Sequence, residues 1–201
     1  VSGIIPAIAH PETHMTTLIS RRSLLAGFAT FATAPHAFAQ EAELCPVSEK
    51  EAKKVEYKYR RREDKFETSE PAGTIVVVPK KRFLYLVHGN GMATRYGIAV
   101  GHDSKTWKGE TEIGKMVKWP VWTPTPEHIA ARPDMVQYKN GMPGGPKNPM
   151  GARALYLYQN GADTIFRIHG THDPKLVGKK ATNGCFGMLN YDIVHLYDQV
   201  Q

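Results

Sequence analysis

One cysteine and one histidine near the end of this chain have the spacing and surroundings for acyl-transfer chemistry. His169 lies in the segment IHGT, 16 residues before Cys185, which ends the segment TNGC. A thiolate can attack a carbonyl carbon while an imidazole takes and returns the proton. Main-chain N–H groups around Gly184 and Cys185 can bind the oxyanion. A cysteine and a histidine alone carry little information, so a buried, inert cysteine remains the competing interpretation.

A metal site is the second chemical interpretation of the same residues. His169, His172, Asp173 and Cys185 are all possible ligands. Metal sites usually bring their ligands in closer sequence pairs than this lone cysteine allows. We therefore expect no metal. For His169 the residues alone leave two interpretations open, proton transfer and a structural histidine at the end of a strand.

The elements that must position these residues are mostly strands. Runs of β-branched and aromatic residues, ended by turn residues, predict strands over 74–78, 83–87, 94–100, 154–158, 164–168 and 186–189. Residues 88–91 predict a hairpin turn. Helical signals are short: Thr125 caps a helix over 125–132, residues 174–180 form a helical turn, and Asn190 caps a final helix. The pattern predicts a mainly β fold, a sandwich or barrel with a few short peripheral helices.

The first 39 residues have the layout of an export signal. A twin-arginine-like pair, Arg21-Arg22, precedes an apolar run over 24–32 and a small-x-small cleavage site ending at Ala39. Met15 offers a conventional start, and a short buried helix is the alternative interpretation. We predict an export signal over 1–39, a charged, loosely attached N-terminal extension over 40–72, and a catalytic domain over 73–201. The expected location is the periplasm or cell envelope.

The chain is basic, with a formal net charge of +7. Such a bias can serve nucleic acid, an anionic surface or no partner, and export argues against nucleic acid. Tyr57 to Arg60 alternates aromatic and basic side chains, which favours an amphipathic strand with a solvated face. Cys45 is expected to stay free, because pairing with Cys185 would block the thiol.

The motif around Cys185 resembles the signature of the YkuD-type L,D-transpeptidases, a bacterial cell-wall family. That signature is a histidine followed, after a short gap, by Ser/Thr-His/Asn-Gly-Cys. This chain supplies His169 and then Thr182-Asn183-Gly184-Cys185. The resemblance covers residues 73–201 and includes VKWPVWTP over 117–124, GMPGGPKNPMGARAL over 141–155, and NYD over 190–192.

The resemblance implies the family's β-sandwich, with the active site at the end of the sheet. It implies that Cys185 is the nucleophile, that His169 is the proton donor and acceptor, and that the Gly170 carbonyl orients the imidazole. The implied oxyanion donors are the main-chain N–H groups of Asn183, Gly184 and Cys185. The implied supporting residues are Thr182, whose hydroxyl would fix the loop, Thr171 and His172.

The implied activity is that of an exported L,D-transpeptidase that needs no cofactor. Cys185 would form an acyl-enzyme with a peptidoglycan stem peptide, release D-alanine and pass the stem to an amine on a second stem. Carbapenem-type β-lactams are the implied inhibitors. Three alternatives stay open: water as acceptor (a carboxypeptidase), an envelope protein as acceptor, and a non-catalytic wall-binding module.

The chain departs from the family pattern at Gly187. Many relatives carry Arg or Asn two residues after the cysteine, and an Arg there would bind a substrate carboxylate bidentately. Arg153, Arg167 or Lys180 could supply a replacement cation. The aromatic residues Trp119, Trp122 and Tyr138 favour core or lid packing, and a stem-peptide wall beside the mobile loop 141–151 is the functional alternative.

Overall fold

The computed structural model describes residues 3–5, 43–102 and 108–200 of the chain. Residues 3–5 are described as backbone and form a short strand. Most of the predicted export signal over 1–39 lies outside the described residues, so the signal stays a prediction. Among the described residues, no helix has the length and apolar character needed to cross a membrane.

Five strands form the first sheet, and every neighbouring pair in it is antiparallel. In spatial order they are β1 (Gly3–Ile5), β3 (Ile75–Val78), β4 (Phe83–Gly89), β5 (Met92–Gly97) and β2 (Arg62–Lys65). The predicted hairpin joins β4 to β5. Its turn residues Asn90 and Gly91 have φ values of 52° and 71°, the left-handed backbone that a two-residue hairpin loop requires.

Four strands form the second sheet, which carries the candidate site. In spatial order they are β11 (Phe186–Leu189), β9 (Ala162–Thr171), β8 (Arg153–Gln159) and β7 (Glu112–Lys118). Strand β11 runs parallel to β9, and the other pairs are antiparallel. A short parallel pair, β6 (Val100–Gly101) with β10 (Lys180–Thr182), precedes the loop before Cys185. The sequence did not predict β7, because EIGKMVK lacks a β-branched run and depends on pairing with β8.

The main core lies between the two sheets, which confirms the predicted β-sandwich. Its fully buried side chains come from both sheets and include Leu84, Tyr96, Leu155, Ile168 and Met188. Helix α2 (Asn190–Gln199) packs on β8 and β9. It buries Ile193, Leu196 and Tyr197 at the spacing of one helical face, and Val200, directly after the helix, joins the same core. Each such side chain contributes about 1.5–3 kcal/mol by leaving water, which makes the sheet a rigid support for the site.

The N-terminal extension is packed on the domain, so the prediction of loose attachment is wrong. Two 3₁₀ helices, Glu49–Lys54 and Tyr57–Tyr59, lead into β2, which pairs with β5. Val55 and Tyr59 are 4% and 3% exposed and form an apolar cluster beside the main core. The predicted strand at Tyr57–Arg60 is also wrong, because burial of Tyr59 in this cluster overrides the alternating pattern.

The predicted short helices are present with two corrections. The helical turn predicted over 174–180 is a 3₁₀ helix over Pro174–Leu176, and Lys180 begins β10. Helix α1 (Pro126–Ala131) is capped by Thr125, whose hydroxyl accepts from the His128 N–H at 3.3 Å. A 3₁₀ helix, Pro133–Tyr138, follows it. Asn190 does not cap α2, because its side chain turns away from the helix to another part of the chain.

Candidate active site

The loop that carries Cys185 is closed by the hydroxyl of Thr182. Thr182 Oγ1 donates to the Cys185 carbonyl at 2.6 Å and accepts from the Gly184 N–H at 3.3 Å. Gly184 has a φ of 135°, which favours glycine at this position. The turn therefore delivers Cys185 to the start of β11 with its backbone fixed on both sides.

His169 lies beside this loop in the parallel register of β9 and β11. It pairs with Gly187, two residues after Cys185, and a Cβ placed on Gly187 would lie 4.0 Å from His169 Cε1. The His169 side chain is buried, and its Nδ1 lies 2.6 Å from the Gly170 carbonyl oxygen. Because a carbonyl only accepts, Nδ1 carries the proton and donates, which leaves Nε2 as the basic nitrogen.

Burial dominates the electrostatics of both groups. Loss of solvent lowers the pKa of His169 to about 4; the Gly170 carbonyl opposes this and Arg167 adds to it. Burial also raises the pKa of the half-buried Cys185 thiol, against a backbone hydrogen bond from Arg167 and its positive charge. Burial therefore favours the neutral forms of both groups, a thiol and an imidazole, over a thiolate–imidazolium ion pair.

The Asn190 side chain packs against the backbone of Gly170, the residue whose carbonyl orients His169, and no sequence pattern indicated this contact. Its Oδ1 accepts from the Ala152 N–H at 2.9 Å. A Cβ placed on Gly151 or Gly170 would overlap this same oxygen, so both positions need glycine. The glycines at 151 and 170 were visible in the sequence, but nothing in the helical pattern linked them to Asn190.

The remaining predicted site residues lie around this centre. The Thr171 hydroxyl is buried and accepts from the Asp173 N–H at 3.1 Å, whereas His172 is exposed. Within residues 43–102 and 108–200, no group of three His, Cys, Asp or Glu residues is arranged to hold a metal ion. Both Cys45 and Cys185 are free, in line with the expectation for Cys45.

A loop over residues 119–150 touches the nucleophile turn through His128. The exposed Asn183 amide lies 2.8 Å from His128 Nε2, and the Trp122 ring packs edge-on to His128 at 5.7 Å between centroids. Trp122 pairs with Met142 across the loop. The buried Asn148 amide lies 3.0 Å from the carbonyls of Pro120, Met142 and Pro143. The sequence analysis did not identify His128, which has no motif of its own.

The three candidate replacement cations occupy different places. Arg153 is buried, binds the Glu43 carboxylate together with Trp119 Nε1, and packs on Tyr197. Lys180 is exposed in β10. Arg167 precedes His169 by two positions on β9, so both side chains share a face of the sheet. Of the three, only Arg167 contributes to the pKa values of both Cys185 and His169.

Comparison with known proteins places this geometry in a family. Residues 72–201 match the model of the L,D-transpeptidase catalytic domain, YkuD. A Fuscovulum blasticum protein, named as an L,D-transpeptidase of the ATP synthase subunits region, is 40% identical over 95 residues, covering 47% of this chain and 46% of that protein. Bacillus subtilis YqjB, also named as an L,D-transpeptidase, is 31% identical over 65% of this chain and 68% of its own length. Escherichia coli ErfK/SrfK is 29% identical over 64% of this chain and 41% of its own length. The chain thus spans less than half of the first and third of these relatives.

A solved structure from Brucella melitensis is also similar. It is 48% identical, with a TM-score of 0.52, and the match covers 74% of this chain and 92% of that one. That protein is named as a carnitine operon oxidoreductase, caia, whereas the family model and the three curated relatives above carry L,D-transpeptidase names.

Proposed function

Because this chain belongs to the L,D-transpeptidase (YkuD) family, whose activity is peptidoglycan crosslinking, we propose that it is an exported transpeptidase with Cys185 as its nucleophile. The donor is a peptidoglycan stem peptide, cleaved between its third-position diamino acid and its terminal D-alanine. The acceptor is an amine on a second stem. The site of action is the periplasm or cell envelope.

In the first half-reaction, the thiol proton moves to His169 Nε2 as Cys185 Sγ attacks the donor carbonyl carbon. The resulting oxyanion needs main-chain donors. Because the Gly184 N–H is directed to the Thr182 hydroxyl, the Asn183 and Cys185 N–H groups are the better candidates. Collapse breaks the C–N bond, the D-alanine amine takes the proton from the imidazolium, and a thioester remains on Cys185.

The second half-reaction reverses these roles. The acceptor amine attacks the thioester carbonyl, and His169 Nε2 removes its proton. The C–S bond then breaks, the thiol is regenerated with that proton, and a new amide joins two stems. The hydrogen bond from His169 Nδ1 to Gly170 serves both halves by fixing the ring and keeping Nε2 as the basic nitrogen.

One observation carries the proposal: the imidazole is held by a backbone carbonyl, and the cysteine turn is held beside it in register. A cysteine that only packed in the core would need neither arrangement. The neutral state of both groups fits a mechanism in which proton transfer accompanies attack. General base catalysis of this kind contributes about 10²- to 10⁴-fold to a rate.

The test is to incubate the purified protein with a disaccharide-tetrapeptide and to record intact-protein and muropeptide mass spectra. We expect a stem-minus-D-alanine adduct on Cys185 and accumulation of crosslinked dimer. Cys185→Ser should abolish both, and His169→Gln should slow adduct formation by about 10²- to 10⁴-fold. Cys45→Ser is the matched control and should behave as wild type.

The alternatives give different spectra. An adduct with only tripeptide product identifies water as the acceptor, and an adduct that transfers only to an added envelope protein identifies an anchoring enzyme. A carbapenem should acylate the same cysteine. Failure to form any adduct in a folded protein with a reduced thiol would refute the proposal and favour a wall-binding module.

A further inference from the structure

Strand β9 is interrupted by a bulge just before the segment that carries His169. Tyr156 of β8 pairs with Arg167, but Tyr158, two residues on, pairs with Asp163, four residues away. Strand β9 therefore holds two more residues than its partner between these pairs. Bulges of this kind redirect the chain and are common beside active sites.

The bulge contains a residue in an unfavourable conformation. Ile165 has a φ of 63° and is 77% exposed, and a β-branched residue with this backbone is a true outlier. The Asp163 carboxylate accepts from the Ile165 N–H at 2.8 Å, and the Thr164 hydroxyl accepts from the Phe166 N–H at 3.2 Å. An exposed isoleucine gains little here by burial, so side-chain packing does not explain the strain.

The turned backbone of β9 lies next to the nucleophile, because the Cys185 thiol donates to the Ile165 carbonyl. The Ile165 carbonyl oxygen lies 4.0 Å from Cys185 Sγ. Ile168 pairs with Phe186 in the parallel register, so Arg167 lies beside Cys185. The Arg167 main chain and the Arg167 charge both lower the pKa of Cys185, against the larger effect of burial.

The guanidinium is fixed by three neighbours. Arg167 Nη1 and Nη2 donate to the two Asp163 carboxylate oxygens at 2.7 and 2.8 Å. Nη1 also donates to the Phe166 carbonyl at 2.9 Å, and the guanidinium lies 4.1 Å from the Tyr156 ring centroid. The side chain is only 14% exposed, so water screens its charge weakly.

We propose that the Asp163–Arg167 bulge is a positioning device for the nucleophile, in which Arg167 stabilises negative charge on Cys185 Sγ. Asp163 and the left-handed Ile165 hold the Arg167 backbone and guanidinium in place. This inference rests on the proposed role of Cys185. The role differs from the one that an arginine at 187 would serve, since the Arg167 guanidinium is already bound by Asp163 and is not free to bind a substrate carboxylate bidentately.

The test measures the thiol without any peptidoglycan. In a Cys45→Ser background, the rate of Cys185 alkylation by iodoacetamide is recorded from pH 6 to 10. Arg167→Met should slow alkylation at pH 7 by about 3- to 10-fold, because a nearby positive charge favours the thiolate, while the more basic thiolate is somewhat more nucleophilic. The midpoint of the pH profile should move to higher pH, and Arg167→Lys should regain most of the rate.

Lys115→Met is the matched control, since Lys115 Nζ lies 5.4 Å from the same Tyr156 ring and on another strand. It should leave the profile unchanged. Ile165→Gly tests the backbone: glycine accepts this φ without strain, so the profile should hold within twofold and Tm should rise by roughly 2–4 °C. This variant also keeps the test informative if Arg167→Met folds poorly.

Equal profiles for Arg167→Met and wild type, or equal losses in Arg167→Met and Lys115→Met, would overturn the inference. A large loss in Ile165→Gly would show that the isoleucine side chain, and not the backbone, acts on the thiol. These outcomes are separate from the proposed function. If the protein crosslinks stems but its alkylation profile does not depend on Arg167, only the inference about Arg167 is refuted. If the thiol depends on Arg167 but forms no stem adduct, only the proposed function is refuted.

Discussion

Two buried groups with opposite pKa displacements set how the stability of this fold depends on pH. Burial lowers the pKa of His169 from 6.5 to about 4. Burial also raises the pKa of Asp192, which is 2% exposed, from 3.8 to about 6, against the opposing charge of Arg61. The Arg61 guanidinium lies 3.7 Å from the Asp192 carboxylate, which is too long for a strong charge-assisted hydrogen bond.

The signs of the two contributions are opposite. Between pH 4 and 6.5 the unfolded chain binds a proton at His169 that the folded protein does not, so stability rises with pH by about 3 kcal/mol. Between pH 4 and 6 the folded protein binds a proton at Asp192 that the unfolded chain has released, so stability falls by about 3 kcal/mol. In wild type these two contributions nearly cancel.

We therefore expect Asp192→Asn to reveal the His169 contribution. Relative to wild type, its free energy of unfolding should gain a positive slope, about 3 kcal/mol between pH 4 and 7. His169→Gln should gain a negative slope of similar size. Urea denaturation followed by circular dichroism at pH 4, 5, 6 and 7 measures both, and other titrating groups cancel in the comparison with wild type.

Asp198→Asn is the control, because it removes an exposed carboxylate from the same helix. It should not gain the slope of about 3 kcal/mol that Asp192→Asn gains. The absolute stability of Asp192→Asn at pH 7 is less informative, since Arg61 loses its counterion. If Asp192→Asn also ran parallel to wild type, the carboxyl would titrate as an ordinary surface group and the reasoning would be refuted.

Three further outcomes are expected. The kcat/KM of the free enzyme should rise through a pKa of about 4, that of His169, rather than near 6.5; a pH–rate profile with tetrapeptide donor checks this. Asn190→Leu should lower kcat by about tenfold or more with little change in KM, since the Ala152 N–H loses its acceptor beside the Gly170 backbone and small displacements cost catalysis heavily. Steady-state kinetics on a folded sample measure this, and an unchanged kcat would contradict it. Glu43→Gln should lower stability by about 1–3 kcal/mol, because it weakens the counterion of the buried Arg153, and a urea titration measures this.

The sequence predicted most of the sandwich because its strands carry their own signals. The runs in β3, β4, β8, β9 and β11 alternate or stay apolar, and the Asn90-Gly91 turn sets the hairpin register. Strands β2 and β7 were missed because their polar sequences become strands only through pairing with β5 and β8. The N-terminal extension was misjudged for a related reason. Its charge dominates the composition, whereas Val55 and Tyr59 decide where it packs.

The candidate site divides in the same way. The motif predicted Cys185, His169 and the Thr182 turn, since the family signature that it resembles contains all three within one short stretch. Asn190, His128 and the Asp163–Arg167 bulge were not predicted. Asn190 and His128 act through contacts with distant segments, and the bulge acts through a backbone angle. Features of these two kinds leave no local pattern in the sequence. Long-range contacts of this kind decide how the chemistry is tuned.

Burial and the Arg167 charge have opposing effects on the pKa of Cys185 and additive effects on the pKa of His169. Burial makes both the Cys185 thiolate and the His169 imidazolium unfavourable. The thiol form that burial favours reacts less readily than a thiolate when no substrate is bound. Arg167 opposes that cost at the sulfur but adds to it at His169, because it faces both. A second cation, such as an arginine in place of Gly187 beside His169 Cε1, would lower the pKa of both Cys185 and His169 further. The glycine at 187 is therefore consistent with a site that already receives its positive charge from β9.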